Sequence, residues 1–459
     1  MPTAVLGMRG SGSFAGVERP KSWREQILLQ FPNGDAPLTA LLSKLREQEV
    51  NDPEFSWFEK GIPQQRARIL GASVTTSAAP ASGADIAAAS ASADIVLTLV
   101  PDGATAGTSD VSIFKPGHVL FNQVGDEAYL IVKVDRSTNF VTVRRNLGST
   151  YTLGVNTPAI TGDTAAGDTV VIIGSGHPEG ASIGSAISYA SAKYRNFTQI
   201  HRTPLMLTRT ARRTKLRTDA RGPYREAQRE ALQIHAIEME RSFFFGEASE
   251  NTSLSNPDGP LDVTSAGQPL RTTRGILRWL PAITTASVSV HTDLTTYNSG
   301  IVTEKIFDDF CEEVFRYGAK EKVGFVGSTG LNVMTQMAKN KATIDLVPTD
   351  QTYGMHMMRY LTPFGVLYLV NHPLLSVDPV WRRDLFVVDL DKLTYRYITD
   401  TDFVENRQNP GDDASKDEFI TEAGLECHFS GHAPDADSPN TIATPAAHGR
   451  LKGMASYGG

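Results

Sequence analysis

The feature that most constrains this chain is one long amphipathic stretch. It opens near Pro223, whose fixed φ and missing N–H suit a first helical turn, and continues to about Phe245. Ala231, Leu232, Ala236, Met239 and Phe243 recur on one side, while Arg225, Glu226, Arg229, Glu230, Glu238 and Arg241 fill the rest. At ~1.5 Å of rise per residue this helix is about 35 Å long, a spine along which other elements must be laid.

What precedes the spine is extended. Residues 1–20 are rich in Gly, Ser and Pro and read as an arm. Short amphipathic helices are expected at 23–29 and 38–48, the second with Leu41, Leu42 and Leu45 on one face. Phe55-Ser56-Trp57-Phe58, between Pro53 and Pro63, predicts an exposed strand. Residues 71–94 are dominated by Ala, Ser and Gly and read as a linker. Five strands are then expected at 95–100, 111–121, 128–134, 140–145 and 169–173. Turn residues such as Pro101-Asp102-Gly103 and Val124-Gly125-Asp126 separate them, which predicts a small barrel or sandwich. From 194 to 217 the chain is extended, polar and basic.

After the spine, helix and strand alternate. Ile306, Phe307, Phe310, Val314 and Tyr317 make one face of a helix that Gly318 can end. A strand at 323–326 and a helix at 331–338 follow. A hairpin over 353–360 and 366–370 turns at Pro363-Phe364-Gly365, and strands at 385–388, 393–398 and 419–429 complete an α+β body. Residues 431–459 read as a low-complexity tail.

Composition narrows the function class. A chain of 459 residues with 40% hydrophobic and 21% charged residues is a globular protein of two or three domains. A net charge of −7 argues against a molecule that binds nucleic acid over its whole surface. Cys311 and Cys427, the two cysteines, can make neither a four-thiolate metal cluster nor a disulfide scaffold. No apolar run of membrane-spanning length occurs, and residues 1–16 hold no signal-peptide core, so synthesis and assembly in the cytosol are expected.

Catalytic patterns are fragmentary. Residues 170–176 run a strand into Gly174-Ser175-Gly176, but Glu179 stands where a dinucleotide fingerprint needs its third glycine, and no βαβ unit precedes it. A last barrel strand and its exit turn is the expected reading. Asp308, Asp309, Glu312 and Glu313 have cation-binding spacing but lie on the polar side of a helix. Cys427 and His428 are neighbours on a strand, so their side chains should diverge rather than pair. No HExxH or phosphate-loop pattern occurs. No catalytic residue, metal or cofactor is expected.

One charged feature stands out. Arg202, Arg209, Arg212, Arg213, Lys215, Arg217, Arg221, Arg225 and Arg229 outnumber Asp219 and Glu226 between 202 and 229. Contact with a phosphate backbone is one reading. Pairing with acidic neighbouring copies is favoured, because no aromatics interleave as single-strand binders require.

The order of parts resembles the capsid subunit of Hong Kong 97-type tailed bacteriophages: N-arm, long extended E-loop, spine helix of the peripheral domain, then an axial α+β domain. Leu38-Thr39-Ala40-Leu41-Leu42 and Phe55-Ser56-Trp57-Phe58-Glu59 are similar to the segments by which one branch enters its E-loop. Tyr194-Arg195-Asn196-Phe197-Thr198-Gln199-Ile200 resembles the return segment. Residues 238–246 with Arg271-Thr272-Thr273-Arg274-Gly275-Ile276 look like the end of the spine and its glycine-bearing turn, and Thr362-Pro363-Phe364-Gly365 with Phe386-Val387-Val388-Asp389 like the returning hairpin and strand. The resemblance implies an arm at 1–55, an E-loop region at 56–92 and 178–215, an inserted β-barrel at 93–177, a peripheral domain at 216–290, an axial domain at 291–400, return strands at 401–430 and a tail at 431–459.

It also implies a major capsid protein: an icosahedral shell of hexamers and pentamers, assembled in the host cytoplasm, ending in the virion, and free of catalysis. Scaffolding, portal and decoration proteins, and packaged double-stranded DNA bound non-specifically on the inner face, are the implied partners. No membrane is implied. Trp57, Phe58, Arg209, Arg212, Arg213 and Arg217 are expected at contacts between subunits, because shell proteins spend extended segments on their neighbours. Three alternatives remain: an encapsulin-like cage of the same fold, a phage tube or decoration protein, and a nucleotide-binding enzyme built around residues 174–180.

Overall fold

The long helix forms over Pro223–Phe245 in a computed structural model. The structure describes residues 37–38, 47–61, 65–73, 80, 83–86, 94–101, 109–145, 147, 158–163, 167–181, 184, 186–214, 222–251, 269–340, 348–352, 355–440 and 442–458. The arm at 1–20 and the helix at 23–29 lie outside them. Two units divide the chain. The first takes residues up to Phe55, Asn196–Ser430 and Ala446 onward, and the second takes Ser56–Arg195 and Gly431–Pro445.

In the first unit the spine helix buries Ala231, His235, Met239 and Phe243, four residues apart, with Glu240 and Phe244 beside them. This stripe is rotated from the expected one, and Leu232 is exposed. A histidine can take the inward place because both ring nitrogens meet hydroxyls, Thr203 Oγ1 at 3.0 Å and Thr421 Oγ1 at 2.7 Å. Those threonines belong to a four-stranded sheet in the order Glu47–Glu49, Leu393–Val404, Ala414–Cys427, Gln199–Thr208. Gln199–Thr208 runs antiparallel to Ala414–Cys427 from Gln199 opposite Ala423 to Thr208 opposite Ala414. His201, Thr203 and Leu205 are buried, while Ile200, Arg202, Pro204 and Met206 are exposed, the period of two that a half-covered strand requires. Of the helix expected at 38–48, Leu38 is helical, but Glu47–Glu49 is a strand parallel to residues 395–397.

The body is a seven-stranded sheet in the order His291–Asp293, Gly449–Lys452, Leu385–Val388, Glu321–Val326, Val366–Asn371, Met355–Leu361, Pro348–Thr352. Leu385–Val388 is buried at every position, as a central strand covered on both faces must be. Helix Glu304–Phe315 supplies Phe307, Phe310 and Val314 to the core, and Thr303 caps it through Ile306 N–H. Gly318 follows with φ +87°, a conformation that only glycine adopts without strain. At the end of the spine the demand is space: a Cβ on Gly246 would lie 2.4 Å from the Thr273 carbonyl.

The tail reading is corrected. Gly449–Lys452 lies inside the seven-stranded sheet, Ser456–Tyr457 pairs with Ile301–Val302, and Leu451 and Met454 are fully buried. Local composition hides this because the strand's pairing partners, His291–Asp293 and Leu385–Val388, are distant in sequence.

The second unit contains a closed barrel in the order Arg66–Ser73, Asp94–Pro101, Phe140–Arg144, Glu127–Asp135, His118–Asn122, Thr169–Ser175. Six strands close it, where five were expected. Arg66–Ser73, where an extended region and linker are expected, bridges the first and last of the others. Only His118–Asn122 of the expected 111–121 strand is extended; Phe114 precedes it in a turn and is fully buried. Leu97, Leu99, Leu120, Tyr129, Ile131, Val141 and Val143 fill the interior. Gly174 and Gly176 fall at the end of the last strand and its exit, as the barrel reading expects.

Candidate assembly surfaces

The expected contact residues separate into two groups, and the structure adds a third that was not expected. Trp57 sits on strand Glu54–Glu59, which runs beside Ala192–Phe197 and alternates exposed and buried. The side chain is only 6% exposed, so the expected exposed strand is half wrong. Its Nε1–H donates to Glu59 Oε1 at 2.9 Å, and its ring stacks on Tyr194 at 6.1 Å. Thr444 Oγ1 donates to Glu59 Oε2 at 2.7 Å and meets the Tyr194 hydroxyl at 3.1 Å. The segment 431–445 thus completes a buried polar cluster that residues 54–59 could not announce alone. Phe58, on the opposite face, is 61% exposed and remains available to a partner.

The arginines form the second group. Arg209, Arg212 and Arg213 lie on the short helix Arg209–Arg213, capped by Thr208 Oγ1, and all three are exposed. Arg209 Nε is 3.0 Å from Asp413 Oδ1, and the Arg212 guanidinium lies 4.7 Å from the Tyr224 ring centre. Arg202 pairs with Glu418, which also receives Arg407. Part of the basic excess is therefore met within the chain, by Asp413 and by Glu418 of the strand beside it. Arg217 lies outside the described residues.

The third group is one that sequence reasoning missed. Asn196, fully buried, joins two segments quoted for the capsid resemblance. Its Nδ2 donates to the Leu425 carbonyl at 2.7 Å, and its Oδ1 accepts from Phe197 N–H and Arg274 N–H. Glu240 Oε1 receives Leu38 N–H and lies 2.8 Å from His372 Nε2, all buried, so the chain at Leu38 is tied to the spine. Lys322 Nζ, also buried, donates to the carbonyls of Val314, Tyr317 and Ala447. Burial pushes this amine down to about 8. Only a few acidic or basic residues inside apolar patterns hinted at such ties, and their partners are distant in sequence.

The chemistry-bearing fragments are dispersed. Asp309 pairs with Lys305, and Glu312 and Glu313 pair with Arg316, along the polar side of their helix. Cys427 is buried, and burial raises its counterpart Cys311 well above the usual thiol range. His428 turns to Glu426 at 2.5 Å. Among the described residues, no group of three or more His, Cys, Asp or Glu gathers at metal-binding distance, and no helix is long and apolar enough to cross a membrane. Burial pushes His201 down to about 4 and lowers His235, so both rings between spine and sheet are neutral at pH 7.

The family model described as SU10 major capsid protein matches residues 10–432. The major capsid protein of Pseudomonas phage PaMx41 is 25% identical over 416 residues, 91% of this chain and 86% of that protein. Among solved structures, Mycobacterium phage Bobi aligns over 97% of each chain with 8% identity and a TM-score of 0.39. The encapsulin complex of Synechococcus elongatus aligns over 60% of this chain and 80% of its own, with 9% identity and a TM-score of 0.36. An α+β body along a spine helix, with an inserted barrel and these sequence matches, is a phage major capsid protein. The chain belongs to the SU10 major capsid protein family, on the match across 10–432.

Proposed function

We propose that this protein is the repeating subunit of an icosahedral phage head of Hong Kong 97 type, built from its hexamers and pentamers, and that it performs no catalysis. The observation that carries the reading is the family match across residues 10–432. The geometry supports it: a spine helix clamped to a long sheet by His235 makes a stiff plate, and the arm-side tie at Leu38 is anchored to that spine. In this reading residues up to 55 are the arm, the second unit is the E-loop excursion carrying the barrel, and the seven-stranded sheet is the axial body. Scaffolding, portal and decoration proteins are its partners, and packaged double-stranded DNA touches the inner face without sequence preference. The protein assembles in the host cytoplasm and ends in the virion.

Electron microscopy of the full chain, expressed alone and with a scaffolding protein, tests this. Closed hollow shells of uniform size are expected in at least one sample. Only small soluble particles in both would overturn the reading. Shells that load a host protein rather than DNA would point to a cage.

A further inference from the structure

Residues 431–445 belong to the second unit, although the chain on either side of them belongs to the first. They fasten a stem, the two-stranded ribbon of Glu54–Glu59 and Ala192–Phe197. A two-stranded ribbon alone is marginal in water. Beside Ala192–Phe197 the segment covers the edge that Glu54–Glu59 leaves open. Lys193 N–H donates to Ser438 Oγ at 2.8 Å, and the Lys193 carbonyl accepts Asp435 N–H at 3.0 Å. One residue is thus held through both of its backbone groups. Lys193 Nζ also meets Asp437 at 2.6 Å, and Asn440 Nδ2 donates to the Ala190 carbonyl at 3.4 Å.

The same segment closes the inner face of the ribbon. Thr444 gives its hydroxyl proton to Glu59 Oε2, so the Tyr194 hydroxyl is the donor in its own contact with Thr444 Oγ1. Thr444 N–H donates back to the tyrosine oxygen at 3.1 Å, and Trp57 donates to the other oxygen of the Glu59 carboxylate. Pro445 rests on Gly61, where a Cβ would lie 3.1 Å from the proline ring. Glu59, Trp57, Tyr194 and Thr444 are all buried. A buried carboxylate is stable only while its donors stay in place.

We propose that residues 431–445 are a strap that locks the stem and, by doing so, turns Phe58 outward as a contact for a neighbouring copy. The part played by Phe58 rests on the shell reading above; the strap itself does not. Successive side chains on a strand take opposite faces, so a strand whose Trp57 and Glu59 are tied inward must present Phe58 on the other side. With the strap undone, Glu59 loses a donor and Ala192–Phe197 loses the cover on its edge. The stem then opens locally, while the barrel and the seven-stranded body, each with its own core, stay folded.

Hydrogen exchange of the unassembled full chain, read peptide by peptide, tests the strap. Thr444→Val keeps the shape of the side chain and removes the donor to Glu59. In that variant, peptides covering 54–61 and 190–195 should exchange about tenfold faster or more, the effect of one lost donor to a buried charge. Peptides from 94–101, 118–122 and 385–388 should exchange as in wild type. Thr444→Ser, which keeps the hydroxyl, should match wild type throughout. Unchanged exchange at 54–61, or equal acceleration in every peptide, overturns the strap. The link to Phe58 is read as shell yield in a double-mutant cycle. Thr444→Val and Phe58→Ala should each lower the yield, and the pair should lower it no further than the stronger single change. Fully additive losses, or a normal yield from either single variant, overturn that link. Failure of the wild type to form any shell counts against the function proposed above, while the exchange pattern still decides the strap.

Discussion

Arg450 Nη2 lies 2.6 Å from Asp384 Oδ2, both side chains buried, across 66 residues of chain. Asp384 Oδ1 also accepts Gly453 N–H at 3.0 Å, so one carboxylate fixes the strand Gly449–Lys452 from two sides. Asp384→Ala strands a buried guanidinium. A loss of about 3–5 kcal/mol is expected, and urea unfolding of the full chain measures it. Asp384→Asn keeps an acceptor and should lose less; equal losses would show that the charge, and not the remaining acceptor, holds the strand.

Lys322 offers a second check on the same strand's approach. Lys322→Met preserves the stem but deprives three carbonyls of their donor, including Ala447. With about 1–3 kcal/mol for each unsatisfied buried group, a loss of at least ~3 kcal/mol is expected. A melting temperature within about 2 °C of wild type would show that water replaces the amine.

The spine's histidines predict acid sensitivity. His201 is held near 4 and His235 below its ordinary value, both by burial, so the unfolded chain binds protons that the folded one refuses. Stability therefore falls as pH drops from about 6.5 towards 4, and His201 alone accounts for up to about 3 kcal/mol of the loss. His201→Asn with His235→Gln should flatten that part of the curve. An unchanged slope in the double variant would assign the acid response to carboxylates.

Trp57 and Phe58 should behave oppositely. Trp57→Ala removes a ring packed on Tyr194 and a donor to Glu59, and is expected to cost about 3–5 kcal/mol of folding stability. Phe58→Ala, on the exposed face, should change stability by less than ~0.5 kcal/mol and act on assembly instead. Thermal melts beside electron microscopy separate the two, and a stable Trp57→Ala subunit that fails to assemble would reverse the assignment.

Arg212→Glu with Arg213→Glu tests the basic helix. Both residues are exposed, so the melt should stay within a few degrees of wild type while shell formation fails. Normal shells with altered DNA content would favour contact with the genome.

Elements with their own periodicity were legible in the sequence. The spine from Pro223 to Phe245, the Glu304–Phe315 helix with its Gly318 stop and the hairpin around Pro363-Phe364-Gly365 follow from spacing and turn chemistry. The α+β order, and through it the capsid resemblance, came from these. Tertiary structure alone decided which face each element buries and which short segments become strands. His235 turned inward because two threonines met it, Arg66–Ser73 became a strand because it closes a barrel, and Gly449–Lys452 became a central strand because Asp384 and its neighbours wait there. Periodicity is a local property of the chain, whereas the free energy of a short strand or a buried charge lies in partners tens or hundreds of residues away, so only the folded molecule reveals it.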